Sequence, residues 1–338
     1  MDPGSPKDWK ILEARPALQG EGRVVSIVNQ KGGVAKTTTT VNVAAGLALR
    51  GHRVLIVDID PQANATTGLG QPREREGPST YDVILDDLPL EDAVVSSQIA
   101  GLDLVPASSD LAGAEVELVA ALDRERRLQR ALQSGTGRYD VIFVDCPPSL
   151  GLLTVNALVG AHDLIVPVQC EYYALEGLGQ LLGNAERVRR GLNPDLRIFG
   201  FLLTMFDART RLASQVEDEV RKHFGKLVFE TRIPRSVRIS EAPSYGEPVL
   251  TLDPSSRGSV AYRLLAAEVE ARYGFAKKTP PPPPPPPGGQ REPMTPPPPT
   301  IPTAVPGPGG RGYGTVAPEP QGLAEAWPPS EPWTVEAR

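Results

Sequence analysis

Between residues 22 and 275 the chain alternates two kinds of apolar pattern. Short runs of Val, Ile and Leu recur at 23–29, 53–59, 102–106, 139–145, 163–168 and 196–204. Each run is apolar almost without interruption, the pattern of a strand buried on both faces. Between them lie stretches whose apolar residues return at helical spacing, at 36–50, 111–133, 152–159, 174–190, 212–224 and 255–273. Strands and helices in this order imply βαβ units. The expected fold is α/β, a doubly wound, mostly parallel sheet with helices on both faces. Gly51 and Gly191 each follow a predicted helix directly, where a glycine suits the residue after the cap.

The two ends differ in kind from this body. Residues 1–21 are mixed and punctuated by Gly and Pro, with Trp9 and Ile11–Leu12 as their main apolar features, and are read as a flexible N-terminal extension. Residues 276–338 hold 21 of the 37 prolines, including the unbroken run Pro280–Pro287. Such a segment favours polyproline II and cannot bury a core, so a disordered tail is expected. Trp327 and Trp333 stand near its end and Trp9 in the extension, which leaves the predicted core without tryptophan. The tail reads either as a spacer or as the carrier of a short motif for a partner with an aromatic-lined groove.

The strongest chemical signal is the passage from the first strand into the first helix, Val28-Asn29-Gln30-Lys31-Gly32-Gly33-Val34-Ala35-Lys36-Thr37-Thr38. Glycines let a loop curl so that successive backbone N–H groups point at one anion, and the helix that follows adds the positive end of its dipole. Lys36 is placed to bridge β- and γ-phosphates, and the Thr37 hydroxyl to ligate Mg²⁺. The common G-x-x-x-x-G-K-[ST] pattern is not met, because its glycines would fall on Gln30 and Ala35. If position 35 needs a positive φ, alanine there costs roughly 1 kcal/mol. Two further strands end in acids at the sheet edge where such folds bind ligands. One carries Asp58 and Asp60 ahead of Pro61. The other ends at Asp145 ahead of Cys146-Pro147-Pro148, and Asp145 there suits Mg²⁺, mainly through water. A turn or cap role for Asp60 is the plainer alternative.

With its second lysine, the segment Lys31-Gly32-Gly33-Val34-Ala35-Lys36-Thr37-Thr38 resembles the deviant Walker A box of the ParA/MinD superfamily of P-loop NTPases. Four further stretches, 60–70, 169–178, 203–210 and 233–244, point to its ParA/Soj partitioning branch, and the resemblance covers residues 22–275. It implies an ATPase using ATP and Mg²⁺, whose nucleotide sits on Lys31, Gly32, Gly33, Val34, Ala35, Lys36, Thr37 and Thr38. It implies that Lys31 reaches the phosphates of a second copy in an ATP-bound sandwich homodimer. Asp60 takes the water-orienting role, Asp58 stands behind the metal, and Pro234 falls where relatives line the adenine pocket. Arg209 and Arg238 match DNA-contacting positions. Read from the residues alone, either arginine is equally a solvated side chain or half of a surface salt bridge. The resemblance further implies non-specific DNA binding by the dimer and a ParB-like protein that triggers hydrolysis, in a cytoplasmic, nucleoid-associated setting.

Bulk composition narrows these expectations. The formal net charge is −6 and the pI about 5.3, so DNA contact must come from a local patch rather than a global field. Two cysteines, Cys146 and Cys170, do not make a disulfide framework and suit a reducing cytosol. They also lack the C-x₂-C grouping of a cluster site, so core thiols are expected although the nitrogenase iron protein shares this fold. No run approaches the ~18 apolar residues of a membrane span, and the first residues lack the apolar centre of a signal peptide. A membrane-positioning ATPase like MinD would need a terminal amphipathic helix, which the Pro-rich tail cannot form. A nucleotide-gated scaffold that positions a protein cargo through the Pro/Trp tail stays open as an alternative.

Overall fold

The computed structural model describes residues 22–171, 174–276 and 278–279. The expected N-terminal extension, and the tail with Trp327 and Trp333, lie outside the described residues apart from residues 276, 278 and 279. Strands run in chain order as β1 (Arg23–Ile27), β2 (Val54–Asp58), β3 (Val95–Ser96), β4 (Leu102–Val105), β5 (Val141–Asp145), β6 (Asp163–Gln169) and β7 (Arg197–Thr204). Helices are α1 (Lys36–Ala48), α2 (Asn64–Gly68), α3 (Thr80–Leu85), α4 (Leu111–Leu118), α5 (Arg127–Gly135) and α6 (Leu152–Gly160). They continue as α7 (Ala174–Gly191), α8 (Arg211–Phe224), α9 (Val237–Glu241), α10 (Val249–Leu252) and α11 (Arg257–Tyr273).

The strands form one seven-stranded sheet in the order β3-β4-β2-β5-β1-β6-β7. Every pairing is parallel except β3 with β4. The near-continuous apolar runs explain this arrangement, since β2 and β5 are buried along their whole length. Alternate residues feed two cores. Leu55, Val57, Ile142 and Val144 face the layer built from α4 to α8. Val54, Ile56, Val141 and Phe143 face α1, α10 and α11. Fully burying each such side chain stabilises the fold by about 1.5–3 kcal/mol.

Two departures from the sequence expectation have identifiable causes. The helix expected over 111–133 is broken into α4 and α5. No Gly or Pro marks the break. The fully buried Asn156 of α6 donates to the Arg124 carbonyl (2.7 Å) and accepts from the Leu128 N–H (3.1 Å), so it satisfies backbone groups that a continuous helix would have paired internally. The folded body also runs past 275. Phe275 stacks on Tyr273 and lies against the His52 ring, and Lys278 Nζ reaches Asp140 Oδ2 at 2.6 Å. Cys146 and Cys170 are both buried free thiols. Among the described residues no helix is long and apolar enough to cross a membrane.

Helix α1 is buried on nearly every side and packs tightly on α11 at Gly46, where a Cβ would come within 2.7 Å of the Ala266 Cβ. Gly46→Val should therefore destabilise the protein by about 1–3 kcal/mol through overpacking. Chemical denaturation followed by circular dichroism reads this directly, and an unchanged midpoint would show that the helix pair gives way freely.

Candidate functional site

The segments that follow β1, β2, β5 and β7 converge with residues 239–248 at the edge where open α/β sheets bind ligands. They enclose a cavity of about 440 Å³. Its phosphate end is the loop from β1 into α1. Gly33 has φ 73° and Ala35 has φ 68°, both left-handed, so position 35 does carry the backbone strain that its alanine implies. The strained turn lets Gly32, Gly33, Ala35, Lys36, Thr37 and Thr38 all line the cavity. Val34 points the other way. It is buried, and its carbonyl accepts from Thr204 Oγ1 (3.1 Å), which ties the loop to β7.

The two lysines of the loop are held differently. Lys36 is 6% exposed, and its Nζ donates to the Lys31 carbonyl at 3.2 Å. Burial lowers its pKa, opposed by the charge of Asp145. Lys31 does not line the cavity. Its ammonium lies on the surface, 3.1 Å from Glu171 Oε2.

Asp145 ends β5 with no exposure and accepts from Thr37 Oγ1 (2.8 Å) and Thr40 Oγ1 (2.7 Å). Burial pushes its pKa up to about 6, against the pull of those hydrogen bonds. The Thr37 hydroxyl beside a carboxylate fits the oxygen donor set that Mg²⁺ takes. Among the described residues there is no group of three or more His, Cys, Asp or Glu that could hold a metal ion. Thr40 was not singled out from sequence. Its signal was its place one helical turn after Lys36, on the same face of α1.

Asp58 is held on both carboxylate oxygens by the chain. Its Oδ1 accepts from the Asp60 N–H (3.1 Å), and its Oδ2 from the Thr66 N–H (2.9 Å) and hydroxyl (2.7 Å). These contacts make Asp58 the organiser of the loop carrying Asp60. Thr66 was likewise missed, and its hydroxyl also receives the Ala107 N–H (3.0 Å). Asp58 stands in register with Asp145 on the adjacent strand. Burial, then the Asp145 charge, raises its pKa to about 8. Asp60 lines the cavity at 5% exposure, with Oδ1 accepting from the Gln62 N–H (2.9 Å).

Pro234 is absent from the lining. Its neighbours hold it in backbone pairing with Phe206, and Met205, Ile239 and Pro243 form that wall instead. Arg209 and Arg238 are exposed, and both are paired. Arg209 makes a two-pronged contact with Asp207 (2.9 and 2.7 Å) whose hydrogen bonds hold that carboxyl down at about 2. Arg238 lies 3.2 Å from Glu241 and 3.4 Å from Asp253.

Comparison with known proteins agrees with this geometry. Residues 22–198 match the AAA domain family. The chain is 54% identical over 250 residues to the sporulation initiation inhibitor protein Soj of Bacillus subtilis (strain 168), covering 74% of this chain and 99% of that one. The chain belongs to the Soj/ParA family of chromosome-partitioning ATPases. The chromosome partitioning protein ParA of Myxococcus xanthus (strain DK1622) is 50% identical over 251 residues, covering 74% of this chain and 89% of its own length. Among solved structures, a cobyrinic acid a,c-diamide synthase from Mycobacterium smegmatis with bound ATP analog and magnesium is similar at 40% identity and TM-score 0.67. It covers 76% of this chain and 98% of its own. The phosphate loop, residues 29–38, lies within the stretch matched to the AAA domain family.

The raised pKa values of Asp58 and Asp145 mean that the folded protein holds protons the unfolded chain has released. Stability of the nucleotide-free ParA fold should therefore fall as pH rises from about 4 through about 8. Asp58→Asn should flatten that fall. Thermal melts across the range measure the difference, and parallel curves for the two proteins would contradict the assignment.

Proposed function

We propose that this ATPase is a switch that segregates DNA. MgATP joins two copies face to face, the joined pair holds DNA without sequence preference, and a ParB-like partner triggers the hydrolysis that parts them. The observation that carries this reading is the division of labour in one loop: a buried Lys36 at the floor of its own cavity and an exposed Lys31 outside it. A cation on the surface beside a phosphate site has a second copy's γ-phosphate as its natural target, which couples association to ATP.

Within each copy the roles follow from position. Loop N–H groups and Lys36 hold the triphosphate. Thr37 and Asp145 hold Mg²⁺, which when bound neutralises charge on the phosphate oxygens. Asp60, fixed by the Asp58 and Gln62 contacts, orients the attacking water. Among the described residues no arginine lines the cavity, which supports slow turnover until a partner completes the site. Arg209 and Arg238, doubled by the two-fold pair, supply phosphate contacts. This activity places the protein in the cytoplasm on the nucleoid.

Arg238→Glu leaves three carboxylates where a phosphate should bind, with Glu241 and Asp253 already there. In MgATP its DNA affinity should fall at least ~tenfold, and the log–log salt slope should flatten by ~2, one contact per copy. Titration against labelled duplex at two salt concentrations measures both. Unchanged affinity and slope would move the DNA site elsewhere.

A further inference from the structure

The loop that leaves Asp145 is anchored from outside the nucleotide cavity. It spans residues 146–150, and its Pro148 lines the cavity together with Asp60 and Thr37. The loop ends at Gly151, which begins α6 without a side-chain cap. Two contacts hold that end. Thr154 Oγ1 donates to the Ser149 carbonyl at 2.6 Å. The carboxylate of Glu115, on α4, lies directly against Gly151, where a Cβ would overlap Oε1 and come within 2.5 Å of Oε2. Gly151 has φ −83°, which any residue adopts, so it is the Glu115 carboxylate and not the backbone that requires a glycine there.

Glu115 takes this place at a cost. Its Oε1 is buried and has no hydrogen-bond partner among the described residues, a state that needs a physical reason. The first turn of α6 offers one, because N–H groups at a helix start lack intrahelical acceptors and carry partial positive charge. Helix α4 also reaches the other acid-bearing loop. The Ala107 N–H, ahead of α4, donates to Thr66 Oγ1 (3.0 Å), and Thr66 and the Asp60 N–H both donate to Asp58. Leu111, Ala114 and Leu118 of α4 share a core with Leu153 and Ala157 of α6. One helix is therefore tied to the Asp60 loop at its approach and to the Pro148 loop through Glu115. Neighbouring Glu117 is engaged elsewhere, by the Tyr81 hydroxyl at 2.9 Å.

We infer that Glu115 is a positioning residue for ATP hydrolysis, fixing Gly151 and through it the loop that carries Pro148. Glu115 does not line the cavity, so it acts on the reaction through geometry. Small misplacement around reacting groups costs rate more than it costs binding. The inference rests on the water-orienting role proposed for Asp60, and on neither DNA binding nor a partner protein.

Single-turnover hydrolysis by the full chain in saturating MgATP reads the rate, and a fluorescent nucleotide reads affinity. Glu115→Ala should slow hydrolysis at least ~fivefold while affinity stays within ~twofold. Gly151→Ala displaces the carboxylate and should do the same. With both changes the new methyl takes the space that the carboxylate vacated, so the double variant should be no slower than Gly151→Ala. Glu115→Gln keeps the shape and should lie closer to the parent than to Glu115→Ala. Glu117→Gln, on the same helix, should hydrolyse like the parent. Hydrogen–deuterium exchange in Glu115→Ala should rise at 146–154 while the sheet stays protected. A parental rate in Glu115→Ala, a loss of affinity equal to the loss of rate, losses that multiply in the double variant, or Glu115→Gln as slow as Glu115→Ala each overturn the inference. So does loss of protection throughout the sheet, which would make Glu115 a residue of general stability. Asp60→Ala in the same assay keeps the two readings apart, since parental turnover there removes the role of Asp60 whatever the Glu115 variants do.

Discussion

Lys36, Asp145 and Asp58 are charged or chargeable groups sealed at the edge of an apolar core, and the rest of the site is arranged around that cost. Burying an isolated ion is expensive unless it is paired and hydrogen-bonded. The chain supplies part of the compensation, through Thr37 and Thr40 on Asp145 and through Thr66 and the Asp60 N–H on Asp58. What is left over is a lysine without a carboxylate contact of its own and an acid pair with raised pKa values. A bound triphosphate with its metal completes both. The site is electrically finished only when loaded, and this makes nucleotide state a lever on the whole fold.

That lever reaches outward through short connections. Asp58 holds the Asp60 loop and Thr66, and Thr66 receives the N–H of Ala107 at the approach to α4. The approach to α4 is thus two hydrogen bonds from the carboxylate behind Asp60. On the other side, Val34 ties the phosphate loop to β7, which leads to Asp207 and Arg209. Each proposed DNA arginine already has a carboxylate partner. Exposed ion pairs contribute little to stability, about 0–1 kcal/mol, so phosphate can displace them.

Much of this was legible in sequence because one physical signal dominated locally. Strands buried on both faces read as unbroken apolar runs, and β2 and β5 fell where those runs stood. The phosphate loop declared itself through glycines, lysines and threonines at fixed spacing, and even the strain at Ala35 followed from the missing glycine. The failures share a cause, which is dependence on partners remote in sequence. The break between α4 and α5 is imposed by Asn156 from another helix. Pro234 is kept from the cavity by its pairing with Phe206. Short elements such as α2, α9 and α10 have too few residues to show a period.

The central claim is that a triphosphate held between two copies joins them. Light scattering of the Asp60→Ala chain, first in MgATP and then in MgADP, tests it most directly. The account predicts twice the single-chain mass with ATP and the single-chain mass with ADP. A single-chain mass in both would contradict it.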